Sequence, residues 1–487
     1  MLFNSLLFIT LFLPLTLFGW YGLQRLENPT YAKVFLVGMS LWFYGYFNYY
    51  YLAILVSSVV VNFGCSKLFS FCHKEGSEKL VLTAGLLFNL ALLFYFKYFN
   101  FFVENCNFFF HTGWHVKTIV LPLGISFFTF QQISFLVDRY RKTAPDYAFL
   151  DYACFVTFFP QLVAGPIVLH NEIIPVLQER KNRRPDVAAF WDGCSLFILG
   201  LSKKVLLADV LAIVVNAEYA NLAYLDSISA WVTIIFYMLE LYFDFSGYCD
   251  MARGIGRMFG ICLPQNFASP LLAVSVKDFW RRWHMTLSRF LTTYIYIPLG
   301  GNRKGIPRKC CNLMIVFLIS GFWHGANWTF VVWGMLHGFA MVFETLFPKL
   351  RFRSDRLNRL LTGLFVTYTF SIFRSDSLSQ AILLTKKLFL GGISPFIIGV
   401  SNTIVLPETF VLRKLLSLAF PELLNPFFMI CLLLLLVISI WLIGGKTAEE
   451  WIQEKGRSPR GICLLALLFT WAFLSLSQVS TFLYFDF

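Results

Sequence analysis

The sequence predicts an all-α polytopic membrane protein with about 11 to 12 transmembrane spans and one or two re-entrant segments. Of its 487 residues, 58% are hydrophobic and only 14% are charged, whereas an average globular chain carries roughly 25% charged residues. Apolar runs long enough to cross a bilayer recur along the chain and are separated by short basic loops. The chain also contains 57 Phe, 21 Tyr and 13 Trp, which suit lipid-facing and interfacial positions.

The net charge of +13 points to a membrane and not to nucleic acid. The basic residues lie mainly in short loops between apolar runs, where an excess of Lys and Arg marks the cytoplasmic side. A basic cytoplasmic rim could also attract an anionic donor. The 11 cysteines include no CxxC pair and lie largely within apolar runs, so we interpret them as small hydrophobic residues and expect no metal site.

The first and last thirds of the chain consist mainly of candidate spans. The run at 6–23 has no preceding Lys or Arg, which favours a first transmembrane helix over a cleavable signal. Further runs follow at 33–50, 51–70 and 80–96, and a long helix with Lys203 and Lys204 is expected over 187–217. A span at 228–247 carries Glu240 and Asp244. The final runs lie near 360–373, 378–400, 426–444 and 461–484.

Two central segments are not predicted to be simple transmembrane helices. Residues 150–169 contain Pro160, Gly165 and Pro166, and the flanking stretches 139–142 and 180–184 are both basic or polar. Broken backbone at membrane depth requires a cavity or surrounding protein, so this segment is predicted to be re-entrant. Residues 264–309 interleave charged side chains with Trp280 and Trp283, which indicates an interfacial or re-entrant helix that lines something polar.

The main candidate functional residue is His324. It lies inside an apolar run that starts near Asn312 and continues past Val331. A single helix over this run would place the imidazole near the middle of the bilayer, at about 1.5 Å per residue. An ionisable group at that depth is costly and points to function, although a hydrogen-bonded structural histidine is the alternative.

A second candidate is His284, which is also flanked by Trp, although an ordinary interfacial histidine explains it about equally well. Histidine is the natural general acid or base near neutral pH. The sequence has no G-x-S-x-G elbow and no HExxH pattern, so a serine hydrolase or a zinc peptidase has no support. A bis-histidine haem site is a weaker alternative.

Five stretches together resemble the membrane-bound O-acyltransferase family, in particular a bacterial branch that acetylates alginate or transfers D-alanine to teichoic acid. They are PLGISFFTFQQISFLVDRYR (122–141), FVTFFPQLVAGPIV (155–168), LYFDFSGYCDMARGIGRMFGI (241–261), PQNFASPLLAVSVKDFWRRWHMTLSRFLTTYIYIPLGGNRKG (264–305) and FLISGFWHGANWTFVVWGMLHG (317–338). This resemblance implies one membrane domain over 1–487, with core motifs at 122–338 and peripheral spans at 1–115 and 358–487. It also implies a ring of tilted helices around a central tunnel.

The resemblance further implies acyl transfer from a thioester to a hydroxyl, with His324 as the catalytic histidine and His284 as an assisting one. A tetrahedral oxyanion needs hydrogen-bond donors, for which Asn327, Trp323 and Trp280 are the candidates. Arg281 and Arg282, together with Lys277 and Arg289, could hold the phosphates of the donor, since arginine forks match phosphate. The alternative explanation for these four basic residues is the general excess of Lys and Arg on the cytoplasmic side of a membrane protein.

By the same resemblance, acetyl-coenzyme A is the expected cytoplasmic donor, and no permanently bound cofactor is expected. The acceptor would be an extracytoplasmic polysaccharide or cell-wall polymer, reached through an exported or membrane-anchored partner acyltransferase. The expected location is the bacterial cytoplasmic membrane. Two alternatives stay open: transfer of D-alanine or another acyl group to teichoic acid, and a non-enzymatic transporter of a lipid-linked sugar.

Overall fold

A computed structural model describes residues 1–179, 186–404, 406–478 and 482–483. The predicted basic flank at 180–184 and part of the run at 461–484 therefore lie outside the described residues. Within them the secondary structure is helical and contains no strand, which confirms the predicted fold class.

Twenty-three α-helices account for most of the described chain. The first twelve are α1 Leu13–Leu23, α2 Thr30–Gly45, α3 Tyr49–Leu68, α4 Glu75–Leu93, α5 Phe99–Phe110, α6 Ile125–Tyr140, α7 Phe149–Thr157, α8 Phe159–Leu162, α9 His170–Gln178, α10 Val187–Ser202, α11 Asp209–Ala220 and α12 Ser227–Met258. The others are α13 Val276–Arg282, α14 Met285–Leu291, α15 Gly305–His324, α16 Trp328–Leu346, α17 Asp355–Arg374, α18 Leu378–Leu390, α19 Phe396–Ser401, α20 Phe410–Ala419, α21 Leu424–Gly444, α22 Ala448–Lys455 and α23 Pro459–Leu474.

Four π-helical segments extend or join these helices, at Phe8–Phe12, Phe94–Tyr98, Lys203–Ala208 and Thr292–Tyr296. The segment Lys203–Ala208 joins α10 to α11 without a break, which confirms the long helix predicted over 187–217. Such segments are rare and are often found at functional sites. Two of the four, at Phe94–Tyr98 and Lys203–Ala208, lie close to the site described below.

Six helical stretches in the described residues are long and apolar enough to cross a membrane: Tyr49–Phe71, Glu75–Phe110, Ser227–Met258, Gly305–His324, Trp328–Leu346 and Pro421–Gly444. The chain is therefore a multi-pass membrane protein. The predicted number of about 11 to 12 spans also includes shorter or more polar helices, such as Phe8–Leu23 and Pro459–Leu474.

Helix α12 forms the centre of the fold, and α21 lies at its edge. In the apolar window of α12, 78% of the residues are buried inside the protein, against 11% in the span that contains α21. α12 packs against α10, α11 and α17. Because a helix that is hydrophobic all round must be covered by protein or by lipid, the burial of α12 assigns it to the core, whereas α21 is left to face lipid.

The two segments predicted not to be simple spans are indeed broken. Residues 150–169 form α7 and the four-residue α8, and residues 264–309 begin with the seven-residue helices α13 and α14. A helix needs about 20 residues to span the hydrocarbon core, so these pieces are far too short. Most of their apolar side chains are nevertheless buried, as expected for broken backbone enclosed by other helices.

The prediction of one continuous helix from Asn312 past Val331 was wrong. α15 ends at His324, and α16 begins at Trp328 as the second arm of a helical hairpin. Gly325 takes an extended conformation, and the side chain of Asn327 caps α16 by accepting a hydrogen bond from the Thr329 N–H at 3.1 Å. Asparagine favours such caps over helix interiors, whereas hydropathy alone does not reveal the turn.

Glycines allow the two arms of this hairpin to touch. A β-carbon added to Gly321 would lie 2.4 Å from the carbonyl oxygen of Phe330, and one added to Gly334 would lie 2.4 Å from that of Phe317. Both distances are far below van der Waals contact. Close packing through small residues is a common way to associate helices in membranes, and here it fixes the position of the arm that ends at His324.

Candidate functional site

His324 lies at the end of α15 in an aromatic enclosure. Its side chain is almost fully buried. The imidazole centroid is 4.9 Å from the ring of Trp323, 5.2 Å from that of Trp333 and 5.2 Å from that of Phe373. A histidine at this position is held by the end of one helix and by rings from α16 and α17. Its orientation therefore depends on how these three elements are fixed.

His284 also lies next to the Trp323 indole. It occupies the break between α13 and α14 and has a left-handed backbone, with φ 45°, which is uncommon for residues other than glycine. Its imidazole is 6.0 Å from the Trp323 ring and 4.9 Å from the Phe245 ring, centroid to centroid. The structure thus brings the two predicted histidines into contact with one shared indole.

Asn266 holds the loop that carries His284, a role that the sequence did not suggest. Its Oδ1 accepts hydrogen bonds from the Thr286 N–H at 3.1 Å and the Thr286 hydroxyl at 2.8 Å, and it lies 3.3 Å from Nδ1 of His284. Because a backbone N–H only donates, this atom of Asn266 is the acceptor oxygen. Nδ1 of His284 therefore carries the proton, and Nε2 is the basic nitrogen of the neutral ring.

Of the three predicted oxyanion donors, Trp280 has its one indole N–H bonded, Asn327 uses one of its two amide N–H groups, and Trp323 has a buried N–H with no partner among the described residues. The Trp280 indole donates to Nδ1 of His337 at 3.2 Å, and the Asn327 amide donates to the Asp376 carbonyl at 2.8 Å. The buried Nε1 of Trp323, and that of Trp333, has no hydrogen-bond partner within the described part of the chain. Buried N–H groups are rarely left unpaired, so these two donors are candidates for binding a ligand beside His324.

The predicted phosphate-binding arginines differ in their surroundings. Arg281 is exposed on α13, whereas Arg282 forms an ion pair with Asp278, with Nε 2.9 Å from Oδ1. Arg289 is held by both carboxylate oxygens of Glu172, at 2.6 and 2.9 Å. Binding of donor phosphates by Arg281 and Arg282 stays a prediction, and Arg281 is the less committed of the two.

Lys97 contacts the backbone of the site and was missed in the sequence analysis. Its Nζ donates to the carbonyl oxygens of Trp323 at 2.7 Å and His324 at 2.9 Å. The next residue, Tyr98, donates its hydroxyl to the Phe322 carbonyl at 2.8 Å. A lone lysine within the apolar stretch Phe94–Tyr98 was the signal that could have revealed it, because charged groups in such stretches are rare.

A polar cavity of about 310 Å³ lies next to the aromatic enclosure. Its polar lining comes from Lys204, Asp209, Glu240, Asp244, Asn327 and Arg374, and its apolar lining includes Phe330 and Phe373. Phe373 also contacts the His324 ring, so one side chain both lines the cavity and touches the imidazole. Within the cavity, Nζ of Lys204 is 2.6 Å from Asp244 and 2.8 Å from Asp209.

Together, the helical fold and the enclosed histidines define a multi-pass membrane protein with a site inside its helical core. The sequence model of the membrane-bound O-acyltransferase family matches residues 41–373. A peptidoglycan O-acetyltransferase of Helicobacter pylori is 38% identical over 100% of this chain and 98% of its own length. A probable alginate O-acetylase of Pseudomonas putida is 36% identical over 80% of this chain and 81% of its own. A teichoic acid D-alanyltransferase of Streptococcus thermophilus is 26% identical over 45% of this chain and 56% of its own.

The chain therefore belongs to the membrane-bound O-acyltransferase family. It is an acyltransferase, and the alternative of a transporter without covalent chemistry is set aside. His324 and His284 both lie within the matched region 41–373, as do Trp323 and Lys97.

Proposed function

We propose that this protein is an O-acetyltransferase of the bacterial cytoplasmic membrane. It moves an acetyl group from acetyl-coenzyme A to a hydroxyl, and the product is an O-acetylated cell-wall polysaccharide. Peptidoglycan is the favoured polymer, because the relative matched over the full chain carries that activity in its name. The observation that carries the proposal is the buried His324 next to the unpartnered N–H of Trp323.

In this mechanism His324 is the general base. An alcohol is a weak nucleophile, so its proton must be removed as its oxygen attacks the thioester carbonyl. The imidazole of His324 takes this proton, and the new C–O bond forms a tetrahedral intermediate. When the C–S bond breaks, the electron pair leaves with the sulfur, and the imidazolium returns the proton to the thiolate. The products are the acetyl ester and the free thiol, and His324 is regenerated.

The Trp323 indole is assigned to the oxyanion. Its Nε1–H is buried and has no partner among the described residues, and its ring contacts both His324 and His284. A preorganised donor that is not already bonded stabilises developing charge at no cost in reorganisation. His284, whose Nδ1 is directed to Asn266, packs against the same indole and helps to keep it in place.

The polar cavity is assigned to the acceptor. The basic loop with Arg303, Lys304, Arg308 and Lys309 precedes or starts α15, so the positive-inside rule places the start of that helix in the cytoplasm. Twenty residues of helix rise about 30 Å, which carries His324 and the cavity at Asn327 towards the opposite face of the membrane. A hydroxyl-bearing acceptor would thus approach from the extracytoplasmic side.

The donor approaches from the cytoplasmic side, where Arg281 and Arg282 are the candidate phosphate ligands. This separation of donor and acceptor favours a relay to an exported or membrane-anchored partner acyltransferase, which would carry the acetyl group on to the polymer. A direct transfer of D-alanine to teichoic acid has less support, because that relative matches only about half of the chain.

The decisive experiment measures thiol release from acetyl-coenzyme A by the purified protein in lipid nanodiscs, together with ester-linked acetate on the cell wall of the producing bacterium. We expect the His324→Ala variant to lose both by about 10²- to 10⁴-fold, the usual contribution of a general acid or base. Arg351→Ala is the matched control, since this exposed side chain pairs only with Asp355. Wild-type activity in the His324→Ala variant would overturn the proposal.

A further inference from the structure

A lysine on a neighbouring helix anchors the catalytic end of α15. The last four carbonyl groups of an α-helix have no partner within the helix. In α15 these include the carbonyls of Phe322, Trp323 and His324, and all three accept hydrogen bonds from Lys97 and Tyr98. These two consecutive residues belong to the π-helical segment Phe94–Tyr98, far away in the sequence.

The geometry of the Lys97 amine matches its surroundings. A lysine ammonium has three N–H donors, and three oxygens surround Nζ: the Trp323 carbonyl at 2.7 Å, the His324 carbonyl at 2.9 Å and the Ser126 hydroxyl at 3.4 Å. A cation at a helix C-terminus is also favoured by the helix dipole. The contact between Lys97 and the end of α15 is therefore specific, because the amine is directed at these oxygens and not simply at lipid or solvent.

The contact bears directly on the imidazole because His324 is the final residue of its helix. The chain leaves the helix at Gly325, which is extended, so no following helical turn restrains the His324 backbone. Lys97 bonds to the backbone of His324 itself and to that of Trp323, the two residues assigned above to the base and the oxyanion donor. Loss of these bonds would free both side chains to shift together.

We propose that Lys97 is a positioning residue for acyl transfer, which holds His324 and Trp323 in their reactive arrangement through their main-chain carbonyls. This inference rests on the proposed function of His324. A displacement of about 1 Å in a catalytic group can cost about 10²-fold in rate. The expected effect of losing Lys97 is therefore a fall in kcat with little change in the KM for acetyl-coenzyme A.

The test compares Lys97→Met, which keeps the length of the side chain without its donors, with Lys97→Arg and Tyr98→Phe. We expect Lys97→Met to lower kcat by about 10- to 100-fold, and we expect Lys97→Arg to recover much of the loss. Tyr98→Phe is the matched control, because it removes one hydrogen bond from the same helix end, at Phe322, and leaves the His324 carbonyl bonded. Its kcat should fall far less.

Two further measurements separate positioning from general stabilisation. In the His324→Ala background, Lys97→Met should cause no additional loss of kcat, since Lys97 is proposed to act through the position of His324. Carbethoxylation of His324, followed by mass spectrometry, should become faster in Lys97→Met and not in Tyr98→Phe, and this readout does not require turnover.

The outcomes distinguish the two proposals. Full activity of the His324→Ala variant would contradict the proposed function. An inactive His324→Ala variant, combined with wild-type kcat and unchanged carbethoxylation in Lys97→Met, would overturn only the role of Lys97. Equal losses of kcat in Lys97→Met and Tyr98→Phe that follow their losses in melting temperature would also overturn it, because they would show a structural role alone.

Discussion

Two buried polar clusters in this protein differ in whether their hydrogen bonds are complete. Between α3 and α4, Asn62 and Asn89 exchange amide hydrogen bonds at 2.6 and 3.2 Å. The same network includes Ser58, Gln132 and Tyr152. Around His324, by contrast, the indole N–H groups of Trp323 and Trp333 have no partner within the described residues.

The difference shows how to read polar residues inside a membrane domain. A buried polar group in lipid suggests function, but a network that satisfies its own donors and acceptors needs nothing further and joins helices. Donors that stay unpaired carry a free-energy cost that folding alone does not explain. The incomplete cluster is therefore the place where a substrate is expected, and the complete cluster is a packing element.

The largest expected effect concerns the free indole N–H. Trp323→Phe keeps an aromatic ring next to both histidines but removes the donor, and we expect kcat to fall by about 10²-fold, as for the loss of one oxyanion donor. Trp280→Phe is the matched control, because its N–H is already bonded to His337. It should lower the melting temperature and keep most of the activity per folded molecule. Equal kcat losses in the two variants would contradict the assignment of the oxyanion donor.

A smaller effect is expected in the complete cluster, and it should appear in stability alone. Asn89→Ala leaves the Asn62 amide without its partner and should destabilise the protein by about 1 to 2 kcal/mol. Replacing both residues by Leu removes both polar groups at once and should destabilise less than the single change. Thermal unfolding in detergent measures both variants, and a marked loss of kcat in either would show that the cluster is not only a packing element.

The smallest effect is expected at an ion cluster in which Glu449, which lies outside the spans, pairs with Arg253 and Arg257 near the end of α12. Burial raises the pKa of Glu449, but the two arginines outweigh it and hold the pKa below its usual value. A depressed carboxyl pKa stabilises the fold above the unfolded pKa of about 4.3. Glu449→Gln should therefore cost about 1 kcal/mol at neutral pH.

This difference from the wild type should start to shrink as the pH falls below the unfolded pKa of about 4.3 and should vanish below the lower pKa of the folded state. Melting temperatures of both proteins across that range check the prediction. A difference that grows towards acid pH would contradict the sign of the pKa shift.

The sequence was sufficient for the fold class and the family, because each depends on hydropathy or on local motifs, whereas the catalytic role of His324 stays a prediction. It did not reveal that α15 stops at His324, since a run of apolar residues conceals a turn whose only local signs are Gly325 and the capping Asn327. The sequence also could not show which of the two indoles, Trp323 or Trp280, has an N–H available for a ligand. Whether an indole N–H is already bonded depends on a residue distant in the sequence, such as His337 for Trp280.

Lys97 illustrates the same limit. Its partners, the carbonyls of Trp323 and His324, are main-chain atoms, which carry no side-chain signature in a sequence. The isolated charge in an apolar stretch was visible, but its target became evident only from the packing of Phe94–Tyr98 against the end of α15.

The glycine contacts between α15 and α16 constrain how the enzyme moves. Because a single β-carbon would collide with the opposite backbone at Gly321 or Gly334, the two arms are in direct backbone contact at these positions. Any displacement of the end of α15 would therefore carry α16 with it, together with the segment Phe94–Tyr98, which is bonded to the last carbonyls of α15.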